Sequence, residues 1–173
     1  MIDPSYLKSL FVYDPETGIF THTAKKTSSR RAGKVAGSFS PTIGRWMLSV
    51  GARRNKCCLF QASRAAWVYM TGENPIAIVE HIDGDCLNNR WANLRLATQS
   101  QNCANKGVRS DSTLGVKGVV PHRRKDGSIL GYEVRTVREG KNFYGGYFSD
   151  VEKAQEVYQS LVEREFGEFA RIS

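Results

Sequence analysis

The sequence predicts an α+β protein in three parts. A small β-rich region covers residues 1–60, a strand–strand–helix segment with a helix before it covers 61–108, and a three-stranded antiparallel sheet packed on one helix covers 109–173. Three observations carry this reading. Turn signals are closely spaced through the first sixty residues. Two capping-box sequences, Thr98-Gln99-Ser100-Gln101 and Ser149-Asp150-Val151-Glu152, mark helix starts. Three short runs of strand-forming residues follow residue 118 and are separated by Lys125-Asp126-Gly127 and Arg138-Glu139-Gly140 turns. A chain of 173 residues, 40% hydrophobic, is long enough to bury one large core or two or three small ones.

From the N-terminus, Asp14-Pro15-Glu16-Thr17-Gly18, Gly33, Gly37, Gly44 and Gly51 punctuate short runs such as Gly18–Thr21 and Arg45–Val50, which gives strands and turns. Gln61 to Met70 is a helix, with Ala62, Ala65, Ala66, Trp67 and Tyr69 as its core face, stopped by Thr71-Gly72 and Pro75. A strand over Ile76–Glu80, a loop holding Asp83-Gly84-Asp85, a second strand over Leu94–Ala97 and a helix after Thr98 come next. Asn102 projects from the second turn of that helix. Gly107 to Gly118 reads as a linker. Strands over Val119–Lys125, Gly131–Arg138 and Lys141–Phe148 precede a helix whose Ala154, Val157, Tyr158, Leu161 and Val162 recur at helical spacing.

Charge limits the partners. The net charge is +8, and it is sorted along the chain. Residues 1–60 hold ten Lys/Arg against three Asp/Glu, including Lys25, Lys26, Arg30, Arg31, Lys34, Arg53 and Arg54. Residues 109–141 hold eight against four, whereas residues 142–173 hold three against six, so the sheet is basic and the helix acidic. A polyanion is the expected partner, with the basic N-terminal residues contacting phosphate. No apolar run is long enough to span a bilayer, and Met1 to Phe11 lacks a secretion signal's pattern, so the expectation is a soluble cytoplasmic protein. Cys57, Cys58, Cys86 and Cys103 form no C-x-x-C pair, which argues against a zinc knuckle or a disulfide framework.

The chemistry concentrates between Ile78 and Asn105. Cleaving a phosphodiester needs a water made nucleophilic, phosphoryl charge neutralised and a leaving oxygen stabilised. His81 suits the general base because imidazole titrates nearest neutral pH. Glu80 and Asn102 offer hard oxygen donors suited to one Mg²⁺ or Mn²⁺ ion. Asn93 can fix the loop around the histidine by bonding backbone across it. Asp83 and Asp85 lie in a loop without the terminal Glu of an EF-hand and read as turn residues.

His81 precedes Asn93 by 12 positions and Asn102 by 21, with Asn93-Leu94-Arg95 and an A-T-x-x-x-N run from Ala97 to Asn102. The segment thereby resembles the HNH endonucleases, of the ββα-metal fold found in phage-encoded and homing nucleases. The resemblance implies a divalent ion held by Glu80 and Asn102, His81 as base and Asn93 as a structural asparagine. Two positions depart from the family pattern. Glu80 stands where the family usually has Asp, and Ser63 stands where related phage enzymes carry a histidine in the preceding helix.

The C-terminal part has its own likeness. Val116-Lys117-Gly118-Val119, Gly131-Tyr132-Glu133-Val134-Arg135, Gly146-Tyr147-Phe148 and the helix from Ala154 to Tyr158 resemble the AP2 DNA-binding domain, which lays its sheet in the major groove. That likeness implies that Lys117, His122, Arg124, Glu133, Arg135, Asn142 and Tyr144 face DNA. Glu133 and Arg135 share one strand face, and Val134 points to the helix. The expectation is a metal-dependent endonuclease, a monomer or weak dimer, that nicks duplex DNA in a host cytoplasm. A catalytically degenerate DNA-binding protein of the same family is the alternative, and RNA binding is a weaker third reading.

Overall fold

The computed structural model describes residues 1–24, 31–53, 56–108, 112 and 114–171. These fall into two compact units, Met1–Ala97 and Thr98–Ser173.

The first unit opens with a helix that turn-rich composition hides. In α1 (Pro4–Leu10) the Asp3 carboxylate accepts from Tyr6 N, and Pro4 fills a position whose N–H would have no partner anyway. The expectation of strands and turns alone through the first sixty residues is corrected here. β1 (Phe11–Asp14) and β2 (Ile19–His22) form a hairpin whose turn is held by Asp14, which accepts from Glu16 N and the Thr17 hydroxyl. β3 (Ser38–Ser40), β4 (Arg45–Arg53) and β5 (Lys56–Gln61) make an antiparallel sheet in that order. α2 (Ala62–Thr71) follows and ends where Gly72, at φ 78°, closes a bond from its N–H to Val68 O. The unit ends in an antiparallel hairpin of β6 (Ile78–His81) and β7 (Leu94–Ala97), in register Glu80 opposite Arg95 and His81 opposite Leu94.

One core draws on every one of these elements except β3. Leu7, Phe20, Leu48, Val68, Val79 and Leu94 belong to a single buried cluster. Ala62, Ala65 and Ala66 bring α2 close to it, as the helix pattern requires, and Tyr69 stacks on Tyr13 and Phe20. Trp67 meets Trp91 with ring centroids 5.2 Å apart. The sequence reading drew a boundary after residue 60. The packing draws none there, because elements from both sides of that position contribute to the one buried cluster.

The second unit begins with α3 (Gln99–Asn105). Its capping box is formed as expected: Thr98 Oγ1 accepts from Gln101 N at 3.2 Å, and Gln101 Oε1 accepts from Thr98 N at 2.8 Å. β8 (Val119–Arg123), β9 (Ile129–Arg138) and β10 (Lys141–Phe148) form an antiparallel sheet with β9 central. α4 (Val151–Phe166) covers one face, with Ala154, Tyr158, Leu161 and Val162 packed against Val119 and Val134. The cap of α4 is Asp150, one position after the expected Ser149, because the Asp150 carboxylate reaches Glu152 N at 2.8 Å. Gly118, at φ 68°, lies against the Tyr158 ring, which leaves no room for a side chain.

Candidate active site

Strand β6 delivers Glu80 and His81 side by side into the interior of the first unit, 3% and 4% exposed. A buried carboxylate needs a partner, and the antiparallel register supplies one. Arg95, directly opposite on β7, donates from Nε to Glu80 Oε1 at 2.5 Å. The other carboxylate oxygen, Glu80 Oε2, is buried with no hydrogen-bond partner. Such an oxygen is costly unless something cationic or protic meets it, and it is the donor type that a hard divalent ion takes. Among the described residues no group of three or more His, Cys, Asp or Glu side chains could hold a metal.

His81 Nε2 lies 3.1 Å from Asn89 Oδ1, and both residues are buried. Burial pushes the pKa of the ring below its ordinary value. The Asn89 bond and the negative charges of Asp83 and Asp85 work against that shift, while the positive charge of Arg45 reinforces it. At neutral pH the ring is therefore uncharged and can accept a proton. Arg45 stands at the start of β4, and its Nη1 is buried without a hydrogen-bond partner.

The loop between β6 and β7 is tied together by Asn93. Its Oδ1 accepts from Asp83 N at 3.1 Å, and its Nδ2 donates to Asn88 O at 2.8 Å and to Asp83 Oδ1 at 2.9 Å. Its backbone oxygen accepts from Ile82 N. Asn93 thus bonds backbone across the loop, while the partner recorded for the imidazole is Asn89, which the sequence reading did not single out. Burial alone would raise the Asp83 pKa, but hydrogen bonds from Asn88, Asn93 and Asp85 N outweigh it and hold the carboxyl below its usual range. Asp83 and Asp85 accept bonds from nearby backbone N–H groups, as turn residues do. Ser63 is buried in α2. Asn102 is half-buried on α3 and belongs to the second unit.

On the second unit, the face of the sheet opposite α4 carries His122, Glu133, Arg135, Asn142 and Tyr144. Cross-strand partners Tyr144 and Arg135, and Asn142 and Val137, share that face, and Val134 between them is fully buried under α4. His122 Nε2 meets Glu133 Oε2 at 2.7 Å, and Arg135 lies 3.8 Å from the other Glu133 oxygen. Tyr147, absent from the expected set, lies on the same face with its ring 5.6 Å from that of His122. Arg124 follows β8 in the turn and is exposed. Lys117 is turned elsewhere: its ammonium donates to Ala104 O and Lys106 O at the C-terminal end of α3, the first of which also accepts from Arg171 N. Burial and the charge of Arg171 lower its pKa to about 8, against a weaker opposing effect of Cys103. Arg31 is exposed in the first unit. Lys25, Lys26, Arg30 and Arg54, and the Arg53 side chain, lie outside the described residues. Among the described residues, no helix is long and apolar enough to cross a membrane.

Comparison with known proteins follows the same segment. Residues 60–104 match the family model described as HNH endonuclease. A curated relative from Acanthamoeba polyphaga mimivirus, described as an uncharacterized HNH endonuclease, is 36% identical over 92 residues, which is 53% of this chain and 44% of the relative. The chain therefore spans less than half the length of that relative. No solved structure matches. The part of the chain that carries Glu80, His81, Asn93 and Asn102 lies within the segment similar to the HNH endonuclease family model.

Proposed function

We propose that the protein is a divalent-metal-dependent endonuclease of the HNH type that hydrolyses a phosphodiester of double-stranded DNA and cuts one strand per encounter. The observation that carries this reading is the pair on β6: a buried, uncharged imidazole beside a buried carboxylate with one oxygen left unsatisfied. Nucleases of this family generally use a divalent ion, and the donors here fit one. Glu80, through Oε2, and Asn102 would hold a Mg²⁺ or Mn²⁺ ion, which when bound neutralises charge on the phosphoryl and leaving oxygens.

The chain's own residues do the rest. His81 takes a proton from water as the oxygen attacks phosphorus, the bond from phosphorus to the leaving oxygen breaks, and that oxygen is protonated from solvent. Arg95 pairs with Glu80 through Oε1 and orients it. Arg45 offers its buried Nη1 to an anionic oxygen. Asn93 keeps the loop closed around the site. An AP2-like second unit grips duplex DNA through His122, Arg124, Glu133, Arg135, Asn142 and Tyr144, and the basic residues of 1–60 add phosphate contacts. A single active site per chain makes nicking the expected outcome for a monomer or weak dimer.

One observation favours a second reading. Glu80 is already neutralised by Arg95, as it would be in a DNA-binding descendant whose carboxylate no longer meets a metal. Nicking of a supercoiled plasmid with Mg²⁺ or Mn²⁺ separates the two. The nuclease reading expects open circles to accumulate before linear product, with loss of cutting in His81→Ala. An inactive wild type restored by Glu80→Asp supports the degenerate reading, and cutting that persists in His81→Ala removes His81 as the base.

A further inference from the structure

The base is held from a distance by the first hairpin. Tyr13 on β1 is buried, and its hydroxyl donates to the backbone oxygen of Asn89 at 2.7 Å across 76 positions of sequence. Burial, followed by the charge of Asp14, raises the Tyr13 pKa well above its ordinary value, so the hydroxyl keeps its proton. One turn of chain further, Pro15 O accepts from Trp91 N at 3.0 Å. Gly18, at φ 74°, lies so close to this loop that a Cβ there would sit 2.4 Å from the Asn89 carbonyl carbon. The hairpin therefore grips the backbone on both sides of Arg90 and leaves Asn89 little freedom to move.

Asn89 in turn has a fixed amide orientation. Its Nδ2 donates to Leu87 O at 3.1 Å, which leaves Oδ1 to face His81 Nε2 at 3.1 Å. An amide oxygen only accepts, so the ring nitrogen that faces it, Nε2, is the one placed to carry a proton. The logic matches that by which a hydrogen-bond partner sets the tautomer of a catalytic or metal-bound histidine.

We propose that Asn89, clamped by Tyr13 and the Pro15–Gly18 turn, is the positioning residue that fixes the tautomer and orientation of the His81 ring. The part that the fixed ring plays in catalysis rests on the nuclease reading, but the fixed ring itself does not. Two measurements keep them apart.

The first is the nitrogen-15 spectrum of the His81 ring in the full chain without metal or DNA, for wild type, Asn89→Leu, Asn89→Asp and Tyr13→Phe. The wild type should show the Nε2–H tautomer. Asn89→Leu, of similar shape but without an acceptor, should give a mixture, and Asn89→Asp, which keeps the acceptor, should restore the single form. Tyr13→Phe should fall between them. The second is plasmid nicking with DNA affinity measured alongside. Asn89→Leu should lower kcat by about ten- to a hundredfold with KM and DNA affinity within about twofold of wild type. Tryptophan emission verifies the fold of each variant, since Trp46, Trp67 and Trp91 all lie in the first unit. A wild-type tautomer retained in folded Asn89→Leu overturns the clamp. A changed tautomer with unchanged nicking overturns its role in the reaction. A wild type that shows the Nε2–H form but does not nick upholds the clamp and counts against the nuclease reading alone.

Discussion

Replacing Arg95 by Met should destabilise the first unit by about 3–5 kcal/mol, the cost of leaving one partner of a buried ion pair uncompensated. The structure sets the scale. The Glu80 and Arg95 side chains are 2% and 14% exposed, and Nε and Oε1 are 2.5 Å apart, so little solvent is available to replace the guanidinium. With Glu80 Oε2 already unsatisfied, the variant leaves both oxygens without the pairing that Arg95 provides. For a unit of this size, each 1 kcal/mol corresponds to roughly 4–8 °C, so the melting midpoint should fall by more than about 10 °C. The assay is thermal or urea unfolding followed by tryptophan emission, which reports this unit alone, in the presence of EDTA. Glu80→Gln/Arg95→Met should recover most of the loss because the buried charge is gone. Added Mg²⁺ should raise the midpoint of Arg95→Met more than that of wild type, by an amount that grows with the logarithm of its concentration. An Arg95→Met variant within about 1 kcal/mol of wild type would refute the argument that this pair is what offsets the burial of the Glu80 side chain.

The other predictions concern the hairpin, the base, the end of α3 and the sheet face. Gly18→Ala combines a positive φ with a clash against Asn89, so it should lose about 1–3 kcal/mol and most of the nicking activity, and a neutral result in both assays would contradict the close approach. Because the folded-state pKa of His81 is depressed, the ring takes up its proton at lower pH folded than unfolded. Its contribution to stability is therefore present above the unfolded value and lost as pH falls through the folded one, and the acid limb of the nicking profile should lie below 6.5. A limb centred above 6.5 would count against this assignment. Lys117, lowered from 10.5 to about 8, binds fewer protons folded than unfolded between those values, so stability of the second unit should rise with pH above about 8. Circular dichroism melts from pH 7.5 to 9.5 should show that rise in wild type and a flatter response in Lys117→Met. Arg135→Ala should weaken duplex binding by about tenfold in a gel shift, whereas Arg164→Ala, on α4 away from the sheet face, should stay within about twofold.

What could be read from sequence was what local pattern controls. The Thr98–Gln101 capping box, the strand at Leu94–Ala97 and the alternation through Glu133, Val134 and Arg135 depend on neighbours within a turn or a pleat, and they stand in the structure as read. α1 was legible in principle from Asp3-Pro4, but the turn residues after it dominated the reading. The cap at Asp150 was missed by one position because Ser149 and Asp150 are both good caps, and only the backbone conformation chooses between them. Asn89 gave no signal. Its contact with His81 spans a loop, and its support comes from Tyr13, which reaches it only once β1 packs beside α2. Lys117 looked like a DNA contact on the basic sheet, yet the carbonyls at the end of α3 compete for its ammonium. Interactions of that kind are decided by which buried groups need partners, and a one-dimensional pattern does not carry them.

The account turns on one cation reaching the His81 ring through Glu80. Mn²⁺ titrated into the full chain should selectively broaden the His81 ring resonances in the nuclear magnetic resonance spectrum while His22 and His122 stay sharp, and the effect should vanish in both Glu80→Gln and Asn102→Ala. Mn²⁺ that leaves the His81 signals unchanged, or that broadens them equally well without the Glu80 carboxylate, would contradict it.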